Sequence, residues 1–294
     1  MKTAKKILFL LTLILSFAFY SESISAATIN QEDEIKNIKN YIENSVAELH
    51  YKFNELKSHQ NVTLEEIQNL IDSHYEANPA PEVMLKSNSL DIQDIYPELT
   101  EENNKAYEES KGNLGVFINS QKETNELGTV FTFKHDNSDS DYIDVYLGKT
   151  GDISLVEFKT VGQSQAIQPL YTQQTTPVKR TTGIAYNAVG LKMFDLWAEA
   201  SFKYNGSSVA SQNLDGNYKR YAAGGTLNLI PDTVMPRTRT VVLEGYRYAE
   251  VYSRLRSQSG IGIQWAQWTI KDALLEAMVG CTVDGSVYGG LKVV

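Results

Sequence analysis

Asp195, Trp197 and Glu199 occupy alternate positions of one short stretch. Two carboxylates beside an indole are the equipment of a glycosidase or a sugar-binding groove: one acid protonates, the other stays ionised, and the ring stacks on a sugar face. A strand separates positions i and i+4 by roughly 13 Å at Cα, so cooperation between the carboxylates requires side chains that lean towards each other. The plainer reading is a polar strand face with one tryptophan. Trp265 and Trp268 are the remaining tryptophans and join the same candidate ligand-binding set.

A second constellation is cationic. Arg237 and Arg239 alternate on one predicted strand and Arg254 and Arg256 on another, with Arg247 on the segment between them and Tyr246, Tyr248 and Tyr252 interleaved. Guanidinium groups mixed with tyrosines suit a cell-wall polymer or another anionic surface. Sheet-edge protection is the competing structural role. Nucleic acid fits poorly, because the excess of Lys+Arg over Asp+Glu after Val161 is only 4.

Other chemistries lack their parts. His50, His59, His74 and His135 all precede Val161, so the later half cannot assemble a Ser-His-Asp or Cys-His arrangement by itself. Asp136, Asp139 and Asp141 suggest calcium, yet the stretch lacks the glycine and terminal glutamate of an EF-hand loop and reads as an acidic hairpin tip. No phosphate-binding glycine loop, nucleotide fingerprint or CxxC pair is present, so no cofactor, metal or catalytic residue is expected. Cys281 is the single cysteine, which excludes an intrachain disulfide.

The elements that must position these residues begin with strong periodicity. Phe194, Leu196, Ala198, Ala200, Phe202 and Tyr204 alternate with polar partners, which predicts a long half-buried strand. Asn205-Gly206 then predicts a type I′ hairpin. Downstream segments Asn217–Ala222, Thr226–Ile230, Thr238–Leu243, Tyr246–Tyr252 and Ile261–Ile270 read as short strands. Residues 271–279 carry helix formers, but Ala273, Leu275, Ala277, Val279 and Cys281 also alternate, which favours a strand leading to a turn at Asp284-Gly285. Residues 183–294 are therefore expected to form an all-β antiparallel sandwich or barrel.

Upstream, Ile35, Ile38, Ile42, Val46, Leu49, Phe53 and Leu56 form a helical stripe. Thr63 and Glu66 then form a capping box ahead of Ile67, Leu70, Ile71 and Tyr75. The pair reads as a helical hairpin within an acidic helical region, 28–112. A small β-meander is expected over 113–161, with strands at Gly128–Phe133, Tyr142–Leu147 and Ile153–Phe158. Residues 162–182, rich in Gln and Thr and interrupted by Pro169 and Pro177, read as a linker, and Lys179-Arg180 within it as a candidate processing site. The expected fold class is α+β multidomain.

Residues 1–27 read as a signal peptide: Lys2, Lys5 and Lys6, an apolar run, then Ser25-Ala26-Ala27 with cleavage after Ala27. The expectation is an extracellular protein without a transmembrane segment once that peptide is removed. Net charge is −9, but residues 28–160 hold 26 Asp+Glu against 11 Lys and no Arg, and every arginine lies at or after Arg180.

Three stretches carry a resemblance: Tyr186-Asn187-Ala188-Val189-Gly190-Leu191-Lys192, Phe202-Lys203-Tyr204-Asn205-Gly206, and Cys281-Thr282-Val283-Asp284-Gly285. They resemble the C-terminal aromatic-rich β domain of small uncharacterised exported proteins of Gram-positive bacteria. The resemblance spans about the last 110 residues, implies export and a β fold, and carries no catalytic residue. The reading that follows is a non-enzymatic exported protein that binds a surface or envelope target. Its acidic front half would be a pro-segment or intramolecular partner. The alternatives are a carbohydrate-binding or carbohydrate-active protein, and a toxin-like or immunity protein.

Overall fold

The computed structural model describes residues 31–86, 90, 92–110, 114–135, 138–162, 173–221, 228–231, 235–243, 245–258 and 274–294. The signal segment, Trp265, Trp268 and the strand expected at Ile261–Ile270 lie outside these residues.

The helical stripe forms α1, residues 31–56, which buries Ile38, Ile42, Leu49 and Phe53 completely. Asn61 adopts a left-handed φ of 56°, and the chain re-enters a helix at α2 (Leu64–Ala77). The capping box is formed: Thr63 N–H donates to Glu66 Oε2 (2.7 Å) and Glu66 N–H donates to Thr63 Oγ1 (3.2 Å). Helices α3 (Glu82–Lys86), α4 (Ile92–Ile95), α5 (Pro97–Glu109) and α6 (Leu114–Thr124) follow. Helix α6 stands where a meander was expected to start, and its Phe117 and Ile118 enter the core.

The strands form two antiparallel sheets. The first holds β1 (Gly128–His135), β2 (Ser138–Gly148), β3 (Ile153–Gly162), β5 (Val178–Tyr186), β6 (Lys192–Tyr204) and β7 (Val209–Arg220) in that order. The short β4 (Gln174–Thr175) pairs with β6 beyond the end of β5. The second holds β12 (Val287–Val293), β11 (Leu274–Thr282) and β10 (Tyr246–Gln258), with β8 (Asn228–Pro231) and β9 (Arg237–Leu243) both along the free side of β10. Neither strand order closes into a barrel. The fold is α+β and dominated by antiparallel strands.

Alternation gives each face of the first sheet a different partner. Ile143, Val145, Ile153, Leu155, Ile184 and Tyr186 pack under Leu49, Phe53, Ile67 and Ile71 of α1 and α2. The opposite face meets the second sheet, where Phe158, Ala200 and Phe202 contact Val251, Val279 and Cys281. Each fully buried Phe or Ile contributes roughly 1.5–3 kcal/mol, so the helical layer is held by the sheet beneath it. The sheets come close enough to require glycine: a Cβ on Gly183 would stand 2.6 Å from Leu291 Cδ2. Thr181 Oγ1 also donates across to the Met278 carbonyl at 2.8 Å.

Two expectations need correction. Residues 173–182 are strand, not linker; β5 pairs with β3 on one side and β6 on the other, so a single sheet runs through the expected boundary between 161 and 183. The part of that segment from 163 to 172 lies outside the described residues. The Asn205-Gly206 hairpin is not type I′, because only Gly206 takes a positive φ (83°). Asn205 uses its side chain instead: Oδ1 accepts from the Ser207 and Ser208 N–H groups at 3.1 and 2.8 Å. The ambiguous segment after Lys271 is strand from Leu274 onward, with Leu275, Ala277, Val279 and Cys281 pointing inward.

Candidate functional site

Asp195, Trp197 and Glu199 share one face of β6, level with Ile184, Thr182 and Arg180 on β5 and with Lys219, Asn217 and Asp215 on β7. Each carboxylate already holds partners. Asp195 Oδ2 accepts from Tyr221 Oη at 2.6 Å, and Lys192 Nζ stands 2.9 Å from Oδ1. A register shift between Ala185 and Tyr186 seats Lys192 opposite Tyr186, and its ammonium also reaches Gln68 Oε1 of α2 at 3.3 Å. Glu199 receives Arg180 through Nε at 2.7 Å and Nη2 at 2.6 Å. Glycoside hydrolysis needs one carboxyl able to give a proton and one free to attack or to activate water. Two carboxylates each occupied by a cation do not supply that division. Trp197 is half-buried, and its indole Nε1 is buried with no hydrogen-bond partner among the described residues.

The arginines are gathered where the sequence suggested two faces. Register pairs Arg237 with Tyr252 and Arg239 with Glu250. Arg237, Arg239, Arg254 and Arg256 therefore share the outer face of the second sheet, because Ala249, Val251 and Leu255 of β10 point into the core. Arg247 has the opposite parity and is exposed away from this group.

The organising residue of the face is one that the sequence reading did not single out. Glu276 is fully buried on β11, and Arg239 grips it bidentately through Nη1 to Oε2 (2.8 Å) and Nη2 to Oε1 (2.6 Å). Arg254 Nε donates to the same Oε2 at 2.8 Å, and Lys292 Nζ lies 3.1 Å from Oε1. Burial alone raises the Glu276 pKa, but hydrogen bonds from Arg239 and Arg254 and the charge of Lys292 bring it below the usual carboxylate range. Glu250 accepts from Arg239 Nε at 2.5 Å and from Tyr288 Oη at 2.8 Å. The Tyr252 ring is held between two guanidiniums, with Arg239 and Arg254 Cζ 4.5 and 4.6 Å from its centroid. Glu276 was legible in principle as the one charged residue of β11, on the parity opposite to Leu275, Ala277, Val279 and Cys281.

Geometrically the face is a fixed cationic platform. Arg239 spends its Nε and both terminal nitrogens on the two glutamates. Arg254 donates to Glu276 through Nε and is half-buried, and Arg256 is exposed. Among the described residues, the four cations Arg239, Arg254, Arg256 and Lys292 stand over two carboxylates, Glu250 and Glu276, and Arg237 shares the face. Positive charge remains.

The remaining candidates have structural places. Lys179 and Arg180 lie near the start of β5, and Lys179 is buried with its Nζ 2.5 Å from Asp141 Oδ1. They are not an exposed dibasic pair. Asp141 also accepts from Thr160 N–H at 2.8 Å, and although burial raises its pKa, the Lys179 and Thr160 hydrogen bonds bring it down to about 2. Asp136 and Ala27 lie outside the described residues. Cys281 is buried and its thiol is pushed up to about 12 by burial and by Asp284. Among the described residues, no group of three or more His, Cys, Asp and Glu is placed to hold a metal ion, and no helix is long and apolar enough to cross a membrane. No family model, curated protein or solved structure matches the chain.

Proposed function

We propose that the protein is an exported, non-enzymatic binding protein of the cell envelope, and that the outer face of its five-stranded sheet meets an anionic polymer. The supporting observation is the collection of arginines from β9 and β10 on one face, two of which, Arg239 and Arg254, are held by Glu276, and Arg239 by Glu250 as well. Preorganised guanidiniums lose little side-chain freedom when an anion arrives, so more of the contact energy appears as affinity. In this reading the two sheets form a sandwich and residues 1–27 direct export. The acidic helices serve as a permanent intramolecular partner on the far side of the first sheet, not as a released pro-segment.

The test uses protein beginning at Thr28, with an anionic polyol-phosphate polymer, anionic lipid vesicles and a neutral glycan as probes. The expected result is polymer binding that weakens steeply with salt and falls about tenfold in the R254A/R256A variant, which corresponds to about 1.4 kcal/mol. Preferential binding to the neutral glycan, insensitive to salt and abolished by Trp197→Ala, would replace this reading with the carbohydrate one.

A further inference from the structure

A second surface, on the helical side, is independent of the arginine face. Two cavities of about 400 and 460 Å³ share Lys149, the exposed residue of the β2–β3 turn. The first opens between α1 and the start of α5. The second follows the next turns of α5 towards the β1 entrance. A smaller hollow of about 180 Å³ shares Ala106, Glu109 and Glu126 with the second and extends the line to Val116, an apolar side chain left 49 % exposed. The result is a trough along α5, whose 13 residues span about 20 Å.

Its lining is amphipathic. Val46, Ala47, Leu99 and Ala106 supply apolar surface. Glu43, Glu102, Glu109 and Glu126 supply carboxylates, against Lys105 and Lys149. Lys39 and Glu98 neutralise each other across 3.6 Å. A trough that is mainly apolar beside α1 and mainly polar beside Glu102, Glu109 and Glu126 is the complement of an amphipathic helix whose apolar stripe is bordered by lysine or arginine. Charge also selects against a second copy of this chain. Residues 28–160 carry 26 acidic side chains against 11 lysines, so a helix from another copy would bring like charge to the rim.

We infer that the trough along α5 docks a basic amphipathic helix of three to four turns from a partner protein. The apolar stripe of that helix covers Leu99 and Ala106, and its cations face Glu102, Glu109 and Glu126.

The probe is a synthetic Leu/Lys peptide of about four turns, with leucines at i, i+3 and i+4. A permuted peptide of the same composition, which has no stripe, is the control. Anisotropy titration against the full chain from Thr28 is expected to show saturable binding, with helix gained by circular dichroism, and binding of the permuted peptide about tenfold weaker or more. Charge reversal at the exposed rim, E102K/E109K, is expected to weaken the patterned peptide at least tenfold. K149E, which removes a rim cation, is expected to tighten it. Equal affinity for the two peptides, or rim variants with unchanged affinity, overturns the inference. A dimer in sedimentation that E102K/E109K dissolves also overturns it, by making a second copy the occupant.

Discussion

Asp141 and Lys179 form an ion pair buried almost completely between β2 and β5, with the Lys179 ammonium 5.4 Å from the Phe158 ring centroid. A buried pair is weak evidence of net stabilisation, but removal of one partner strands the other charge and typically costs about 3–5 kcal/mol. Asp141→Asn is therefore expected to lower unfolding free energy in urea by that amount at neutral pH. The acid limb follows from linkage. The folded carboxyl titrates at about 2, below its ordinary value of 3.8. Its contribution, on the order of 2 kcal/mol, is present above the unfolded pKa and is lost as pH falls from about 5 towards 2. The gap between wild type and Asp141→Asn should narrow over that window. A gap that stays constant down to pH 2 would mean that Asp141 is not held ionised by Lys179.

At the level of elements, β5 shows why part of the fold was hidden in the sequence. Strand β6 announces itself because its inward parity is uniformly apolar. In β5, both parities near the start are polar, Lys179 and Thr181 on one and Arg180 and Thr182 on the other. Those groups are satisfied at a distance: Lys179 by Asp141, Arg180 by Glu199, and Thr181 by the Met278 carbonyl of the other sheet. Their partners lie 38, 19 and 97 residues away, beyond the reach of any local pattern. Polar residues that are buried and paired thus resembled a linker. The same blindness applied to the arginine face, where residue types were legible but the register uniting β9 and β10 was not. Because Lys179 and Arg180 sit in a strand paired on both sides, native protein is expected to resist trypsin there, and Asp141→Asn to increase cutting. Limited proteolysis with mass spectrometry reads this directly. Cleavage after Arg180 under native conditions, as fast as in urea, would contradict the pairing.

At the scale of the whole molecule, α1 and α2 cover one face of the first sheet and the second sheet covers the other, while α6 packs beside the second sheet with Phe117 in the cluster that holds Leu275 and Leu291. The first two helices therefore lie across the first sheet from the second, whose outer face carries the arginines. This arrangement also decides whether the C-terminal β region can stand alone. The alternation within β6 and β11 suggests that 183–294 should suffice, since both strands carry a full apolar parity. The core disagrees. One buried cluster combines Phe117, Tyr146 and Val156 from the front half with Leu196, Leu255, Leu275 and Leu291 from the back. A cut at 183 removes β1 to β3 and half of β5, and strips the helices from Ile184 and Tyr186, which are nearly inaccessible in the intact chain. Burial of two such side chains is worth roughly 3–6 kcal/mol, comparable to the whole stability margin of a typical domain. A fragment of residues 183–294 is therefore expected to show strand content without a cooperative thermal transition and to bind a hydrophobic dye. The chain from Thr28 is expected to melt in one step detected together by near- and far-ultraviolet circular dichroism. If the fragment instead melts sharply with native-like near-ultraviolet signal, the second sheet and β6–β7 hold themselves together, and the front half is an attachment to the fold instead of one of its layers.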